Sequence, residues 1–250
     1  MSLDLTTPTD AKWLSLTHAS VPTLATNMTV AFWARTQAWT ASVGHIYEFG
    51  EPAGSPEANW GMRTRATDQY EMSGGDGTGA PALTTTASPT TLNLWTLIVA
   101  GYDTTFSRYI TINGETNTNN TSSTSFNPVP ATPNKIVIGA DIDITSGFRY
   151  DGYIAEWCVW NKLLTDAEQQ SLYVSSETGV YPNQVAAGNI IHYVPLISAV
   201  TATVGQDFVD NGTVSWASGV HPTMQNIASD MVITTSGAVV VDSSGNLLII

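Results

Sequence analysis

The chain has 250 residues, 42% of them hydrophobic and only 12% charged, with 21 acidic against 8 basic side chains and a formal net charge of −13. No Lys or Arg follows Lys162, so the clustered cations that grip phosphates are missing, and nucleic acid and anionic membranes are set aside as partners. Cys158 stands alone, which rules out an internal disulfide framework and a thiolate zinc site within one chain.

This length suits one large β domain or two small ones. Thr, Ser, Asn and Gly are abundant and helix formers sparse, which favours strands and turns. No run approaches the roughly 20 apolar residues of a membrane helix. Met1 to Thr6 offers neither a basic start nor an apolar core, so no secretory signal is expected. The expected location is the host cytoplasm, or a virion assembled there.

In chain order, Leu3-Asp4-Leu5 reads as a first short strand. Met28 to Arg35 and Val43 to Phe49 follow, with β-branched and aromatic residues in alternation. Asn59 to Thr64 and Gln69 to Met72 read as the next two strands, closed by a turn cluster at residues 73–77. Leu94 to Tyr102 is the most hydrophobic strand. Arg108 to Ile112 ends in Asn113-Gly114, the preferred pair for a two-residue hairpin. Residues 116–125 are polar and suit a short exposed strand or loop. Lys135 to Gly139 is a strand, and a loop through Asp141 and Asp143 leads to the strand that begins at Gly152. In it Ile154, Trp157 and Val159 are apolar, as a packed strand requires. Thr165 then stands three residues before Glu168, the spacing of a capping box that opens a short helix.

Several of these segments resemble laminin-G-like, concanavalin A-like jelly-roll domains over about residues 2 to 174. Thr29 to Arg35 is similar to the family's Thr-Val/Ile-x-x-Trp-Val/Ala-Arg strand. Trp95 to Asp103, followed by Tyr109 to Gly114, resembles its Trp-Thr-x-Val-Ala-x-x-Tyr-Asp … Leu-Tyr-Val-Asn-Gly hairpin. Gly152 to Glu168 resembles its closing Gly-x-Ile-x-Glu strand with Asn and Leu-Ser/Thr-x-x-Glu. The resemblance implies an all-β jelly-roll sandwich with one short helix. It says little about function, because lectins, glycosidases and adhesive modules share the fold.

Asn189 to Leu196 and Asp207 to Val214 resemble the segment that precedes the family's first strand, yet here they follow the helix. Either they complete the same sandwich or they form a packed appendage. Beyond them, Ala238 to Val241 and Leu247 to Ile250 flank a polar turn and read as a C-terminal β-hairpin. An isolated hairpin is marginal in water, and an apolar edge at a chain end needs cover. The expected units are thus a sandwich at 1–178, a packing segment at 179–222 and a β-hairpin arm at 223–250. Val239, Val241, Leu247 and Ile249 are the oligomerisation residues of that arm.

The search for catalytic groups ends without a candidate. A retaining glycosidase needs two carboxylates about 5 to 5.5 Å apart, hence acids at alternating strand positions, as in Glu-x-Asp-x-x-Glu. No such triplet occurs, nor a nucleophile elbow or a phosphate-cradling loop. Cys158 reads as a core thiol, and the four histidines as structural. No cofactor is required, but paired aspartates suit calcium, so Asp141 and Asp143 are its candidate ligands, with Asp76 and Asp103 in neighbouring loops. Sugars stack on aromatic rings with polar groups at the rim. Trp60, Arg63, Arg65 and Tyr70 are therefore the candidate carbohydrate site, while Trp33, Trp95, Trp157 and Trp160 read as core.

Two function classes result. The first is a non-enzymatic bacteriophage virion protein, a capsid decoration or a tail or fibre component. Its partners would be other virion proteins, copies of itself and cell-surface glycans. The arrangement resembles that of phage-borne and environmental-bacterial proteins with laminin-G-like domains. The second is a bacterial carbohydrate-binding module or glycanase of the same superfamily.

Overall fold

The computed structural model describes residues 1–6, 12–17, 27–39, 44–50, 58–65, 69–76, 82–84, 91–103, 107–115, 120–121, 135–144, 147–211, 214–227, 240–241 and 247–248. In chain order they form β1 (Ser2–Asp4), β2 (Trp13–Thr17), β3 (Asn27–Thr36), β4 (Gly44–Gly50), β5 (Ala58–Arg65), β6 (Gln69–Asp76) and β7 (Ala82–Thr84). Then come β8 (Thr96–Asp103), β9 (Ser107–Ile112), β10 (Asn120–Thr121), β11 (Lys135–Ile138), β12 (Gly152–Trp160) and the helix α1 (Asp166–Ser171). The remainder is β13 (Tyr173–Ser175), β14 (Thr178–Val180), β15 (Ile190–Val194), β16 (Val209–Asn211), β17 (Ser215–Ala217), β18 (Thr223–Gln225), β19 (Val240–Val241) and β20 (Leu247–Leu248).

Two large antiparallel sheets face each other as the expected sandwich. One has the order β10-β9-β8-β3-β12-β1-β17, with β15 also on β12; the other runs β16-β2-β11-β4-β5-β6-β7. Between them lie Leu14, Leu16, Val30, Phe32, Tyr47, Phe49, Trp60, Met62, Ile98, Ile136, Ile138, Trp157 and Val159. Each large apolar side chain taken out of water there contributes about 1.5–3 kcal/mol.

The eight-stranded sheet is covered on its other face as well. Ala31, Trp33, Leu97, Val99, Ala155, Cys158 and Trp160 pack outward against Leu164, Leu172, Val180 and Val185. Double cover explains why β8 and β12 read as near-continuous apolar runs rather than clean alternations. The cover begins at α1, whose capping box forms as the spacing predicts. Glu168 N–H donates to Thr165 Oγ1 at 3.3 Å, and Thr165 N–H to Glu168 Oε2 at 2.8 Å. Lys162 Nζ adds an ion pair to Glu168 at 2.7 Å.

One residue breaks the phase of β12. Ala155 faces Trp33 and Cys158 faces Ala31, so Glu156 and Trp157 together oppose the single residue between, Phe32. This is a β-bulge, and Glu156 takes a left-handed φ of 56°. The bulge lets Ile154 and Trp157 share the inner face although three positions separate them. It also marks a change of neighbour: Tyr153 and Ile154 pair with β1, while Trp157 to Trp160 pair with β15.

Residues 190–217 add strands to both sheets, since β15 joins β12, β17 joins β1 and β16 joins β2. Val180, Val185, Val204 and Val220 of the 179–222 segment pack instead on the outer face of the eight-stranded sheet. β6 runs on to Asp76, where the sequence suggests a turn from residue 73. Gly74 faces Trp60 directly, so a residue without a side chain sits opposite a bulky ring, and pairing overrides turn chemistry. β19 and β20 form a two-stranded sheet, with Val241 opposite Leu247. Val43, residues 116–119, 122–125 and 242–246, and the positions of Val239 and Ile249 lie outside the described residues. No helix among the described residues is long and apolar enough to cross a membrane.

His192 is sealed inside this core, edge-on to Trp157 and Phe208, each with its ring centre 5.2 Å away. Its Nε2 lies 2.7 Å from the Gln206 carbonyl. Burial pulls its pKa down from 6.5 to about 4, against the opposing pull of Gln206 O and Asp207. The unfolded chain therefore binds the extra proton first as pH falls. The stability linked to His192 is complete above pH 6.5 and is lost between about 6.5 and 4, a loss on the order of 3 kcal/mol. Urea midpoints across that window should fall more steeply for the native chain than for His192→Phe; equal slopes would dismiss the linkage.

Candidate functional site

The inner faces of both sheets are core, and the outer face of the eight-stranded sheet is covered. The outward face of the seven-stranded sheet remains. Across it, Ser15, Val137, Glu48 and Gly61 form one row, and His45, Arg63, Glu71 and Thr84 the next.

Residues 139–144 and 147–150 lie over the first row. Ile142 carries the anchorage: its N–H donates to Glu48 Oε2 at 2.5 Å, and its carbonyl accepts from Lys135 Nζ at 2.7 Å. Val137, Ala140 and Ile142 form a small apolar cluster beside Trp13, and the Arg149 guanidinium lies 5.3 Å above the Trp13 ring. The covering segment ends at the second row, where His45 N–H donates to the Phe148 carbonyl at 3.0 Å.

In the second row His45 and Glu71 are buried, and Arg63 is partly exposed. Phe148 stands at its border, 40% exposed, its ring centre 6.1 Å from that of His45. His45 lies directly opposite Arg63, and Arg63 opposite Glu71. Directly opposed residues share a face with Cβ atoms about 4.5–5.5 Å apart. Glu71 holds two guanidinium groups. Arg63 Nε reaches its Oε1 at 2.5 Å, with Arg63 Nη2 on the same oxygen. Arg65 reaches Oε2 through Nε at 2.9 Å and Oε1 through Nη2 at 2.8 Å.

Of the four sequence candidates for sugar contact, Arg63 and Arg65 lie on this face, while Trp60 and Tyr70 are core. Trp60 stacks on Phe49 at 5.1 Å, and Tyr70 Oη hydrogen-bonds Thr36 Oγ1 at 2.8 Å. Both rings are buried, so neither can stack on a sugar. The reason is the period of two in β5: Trp60, Met62 and Thr64 turn inward, and Gly61, Arg63 and Arg65 outward. The exposed ring comes instead from Phe148, which nothing local in the sequence marks.

The calcium candidates Asp141 and Asp143 flank an ammonium group. Burial lowers the pKa of Lys135, and Asp143, Asp141 and Glu48 act against that fall. A cation thus already balances these carboxylates. Asp76 and Asp103 lie at the ends of strands β6 and β8 rather than in loops. Among the described residues no three of His, Cys, Asp or Glu converge as a metal set. Calcium takes 6 to 8 oxygens, and here the Lys135 ammonium already faces the carboxylates of Asp141, Asp143 and Glu48.

A second polar cluster lies beneath the cover of the eight-stranded sheet. Glu156 is fully buried; its Oε2 accepts a very short hydrogen bond from Tyr193 Oη, and its Oε1 lies 3.3 Å from His221 Nε2. Cys158 is buried beside it, and burial pushes its thiol well above the ordinary range. A thiol held protonated in this way is inert.

Residues 8–168 match the concanavalin A-like lectin/glucanases superfamily, and the chain belongs to it. None of the curated proteins matches the chain in sequence. Among solved structures, a heptameric SAP-like pentraxin from Limulus polyphemus is similar with a TM-score of 0.59 at 13% identity, over 86% of this chain and 92% of its own. A Bacteroides ovatus protein described as carbohydrate binding gives 0.54 at 16% identity, over 83% of this chain and 58% of its own. The CBM40 module of a Ruminococcus gnavus sialidase, bound to α2,3 sialyllactose, gives 0.50 at 13% identity, over 62% of this chain and 84% of its own. These likenesses establish the fold.

Lys135→Met should lower the melting temperature by removing the ammonium that grips the Ile142 carbonyl and faces Asp141 and Asp143, and a chelator should leave the native value unchanged. A melting temperature that rises with added calcium would reverse this assignment.

Proposed function

We propose that the chain is a non-catalytic carbohydrate-binding protein whose sugar site is the outward face of the seven-stranded sheet around Phe148, Arg63 and Arg65. Phe148 supplies the stacking ring, and the partly exposed Arg63 and Arg65 supply hydrogen-bonding groups. The observation that carries the reading is the exposed Phe148 ring next to polar side chains held in place by cross-strand pairing. An apolar platform with a fixed polar rim is what sugar recognition requires. Two similar structures, the Ruminococcus gnavus module with its sialyllactose and the Bacteroides ovatus protein, are carbohydrate binders by description.

A glycan array probed with the full chain tests this. Retained glycans should be lost with Phe148→Ala, while its melting temperature stays within a few degrees of native because the ring is partly exposed. An array without any retained glycan, or retention indifferent to Phe148→Ala, would defeat the reading.

A second reading concerns assembly, and β19–β20 favours it. The hairpin pairs with no other described strand, and two-stranded sheets are marginal in water unless something packs on them. In this reading the hairpin docks on a second copy or on another virion protein. The sandwich then projects as a capsid decoration, tail or fibre component of a bacteriophage, with its sugar site free for host glycans. Light scattering decides it: the native chain should be an oligomer and a chain lacking residues 228–250 a folded monomer. Equal masses for the two would remove the docking role.

A further inference from the structure

We infer that the sugar bound on this face carries a carboxylate, which the unspent edges of Arg63 and Arg65 receive; this rests on the glycan-binding reading above. The plainest alternative is that Arg63, Glu71 and Arg65 form only a structural cross-strand ion cluster. Such a cluster needs one cation for its one carboxylate, and here there are two. The side chain of Glu71 is 4% exposed, whereas those of Arg63 and Arg65 are 19% and 36% exposed. The anion is therefore spent inside the cluster, and the surplus positive charge faces solvent.

The hydrogen-bond inventory points the same way. A guanidinium has five N–H donors in a planar fork. Arg63 and Arg65 each engage Glu71 through Nε and Nη2, which uses one edge of the plane. The edge that carries Nη1 makes no hydrogen bond on either arginine among the described residues. Two fixed guanidinium edges match the two coplanar oxygens of a carboxylate, and charge-assisted bonds of this kind are roughly twice as strong as neutral ones. The residues paired across the strands, Gln69 opposite Arg65 and Thr84 opposite Glu71, are uncharged. In a chain of net charge −13 with eight basic residues, this pairing of two on one patch is the feature that selects an acidic ligand.

Phe148 and the arginines then divide the work. The ring binds the sugar body of any suitable glycan, and the arginines discriminate by charge. Matched pairs separate the two roles: 3′-sialyllactose against lactose, and trigalacturonate against its methyl ester, titrated into the full-length chain by calorimetry. The acidic member of at least one pair should bind about tenfold tighter or more. That preference should shrink as salt is raised, since the arginines are partly exposed. Arg65→Gln should abolish it, and Arg65→Lys, which keeps the charge but loses the planar edge, should retain part of it. Should Arg65→Gln fail to fold, the lysine variant and the salt series still decide. Phe148→Ala should weaken whichever members bind. Equal affinity for both members of each pair overturns the carboxylate inference and leaves glycan binding intact. Binding by no member of either pair, when neutral glycans are retained on the array, also overturns it. An array without any retained glycan defeats both readings.

Discussion

Glu156 is a fully buried carboxylate placed in the middle of the strand that both cores share, and burial of a charge is costly unless it is paired. Tyr193 on β15 donates its hydroxyl to one oxygen, and the His221 ring, just before β18, lies 3.3 Å from the other. The residues after α1 therefore cannot remain a loose tail without leaving this buried carboxyl group short of its hydroxyl donor. The same residue forms the bulge, with a backbone conformation that costs a non-glycine residue on the order of 1 kcal/mol or more. Its amide nonetheless finds an acceptor, since Glu156 N–H donates to the Pro195 carbonyl at 2.9 Å. Fold completion, bulge and buried pairing are one arrangement seen from three sides.

The location of the site follows from that constraint. Once α1, β13, β14 and β18 are drawn over the eight-stranded sheet, its outer face is a second core, with Trp33 stacked on Tyr173. Among the described residues only the seven-stranded sheet keeps an outward face, and Glu48 and Lys135 fix residues 139–144 over part of it by gripping both polar groups of the Ile142 backbone. The partly exposed Arg63 and Arg65 lie beyond that cover. Phe148 is held beside His45 on a backbone hydrogen bond rather than on a free loop.

Local chemistry was the legible part of the sequence. The capping box needs only Thr165 and Glu168 at their spacing. The hairpin at Asn113-Gly114 needs only its two residues, which both take positive φ. The strands of the superfamily pattern are read from their own composition. What depended on distant partners was not legible. The cluster after Ser73 carries turn residues, yet it pairs along β5. Ile154 and Trp157 are apolar at a spacing that fits neither face of a straight strand, and that mismatch is the trace the bulge leaves in the sequence. Trp60 and Arg63 were separable by parity alone, since residues an odd number apart on a regular strand point to opposite faces.

Parity also explains why the charges ended up where a ligand can reach them. β5 carries Trp60 and Met62 into the core, and the same alternation must then send Arg63 and Arg65 to the surface, two residues apart on one face. On β6, Tyr70 and Met72 turn inward and Glu71 turns outward between them. One carboxylate thus meets two guanidinium groups because three residues share a face. The apolar pattern that builds the core also fixes the surplus charge on its far side.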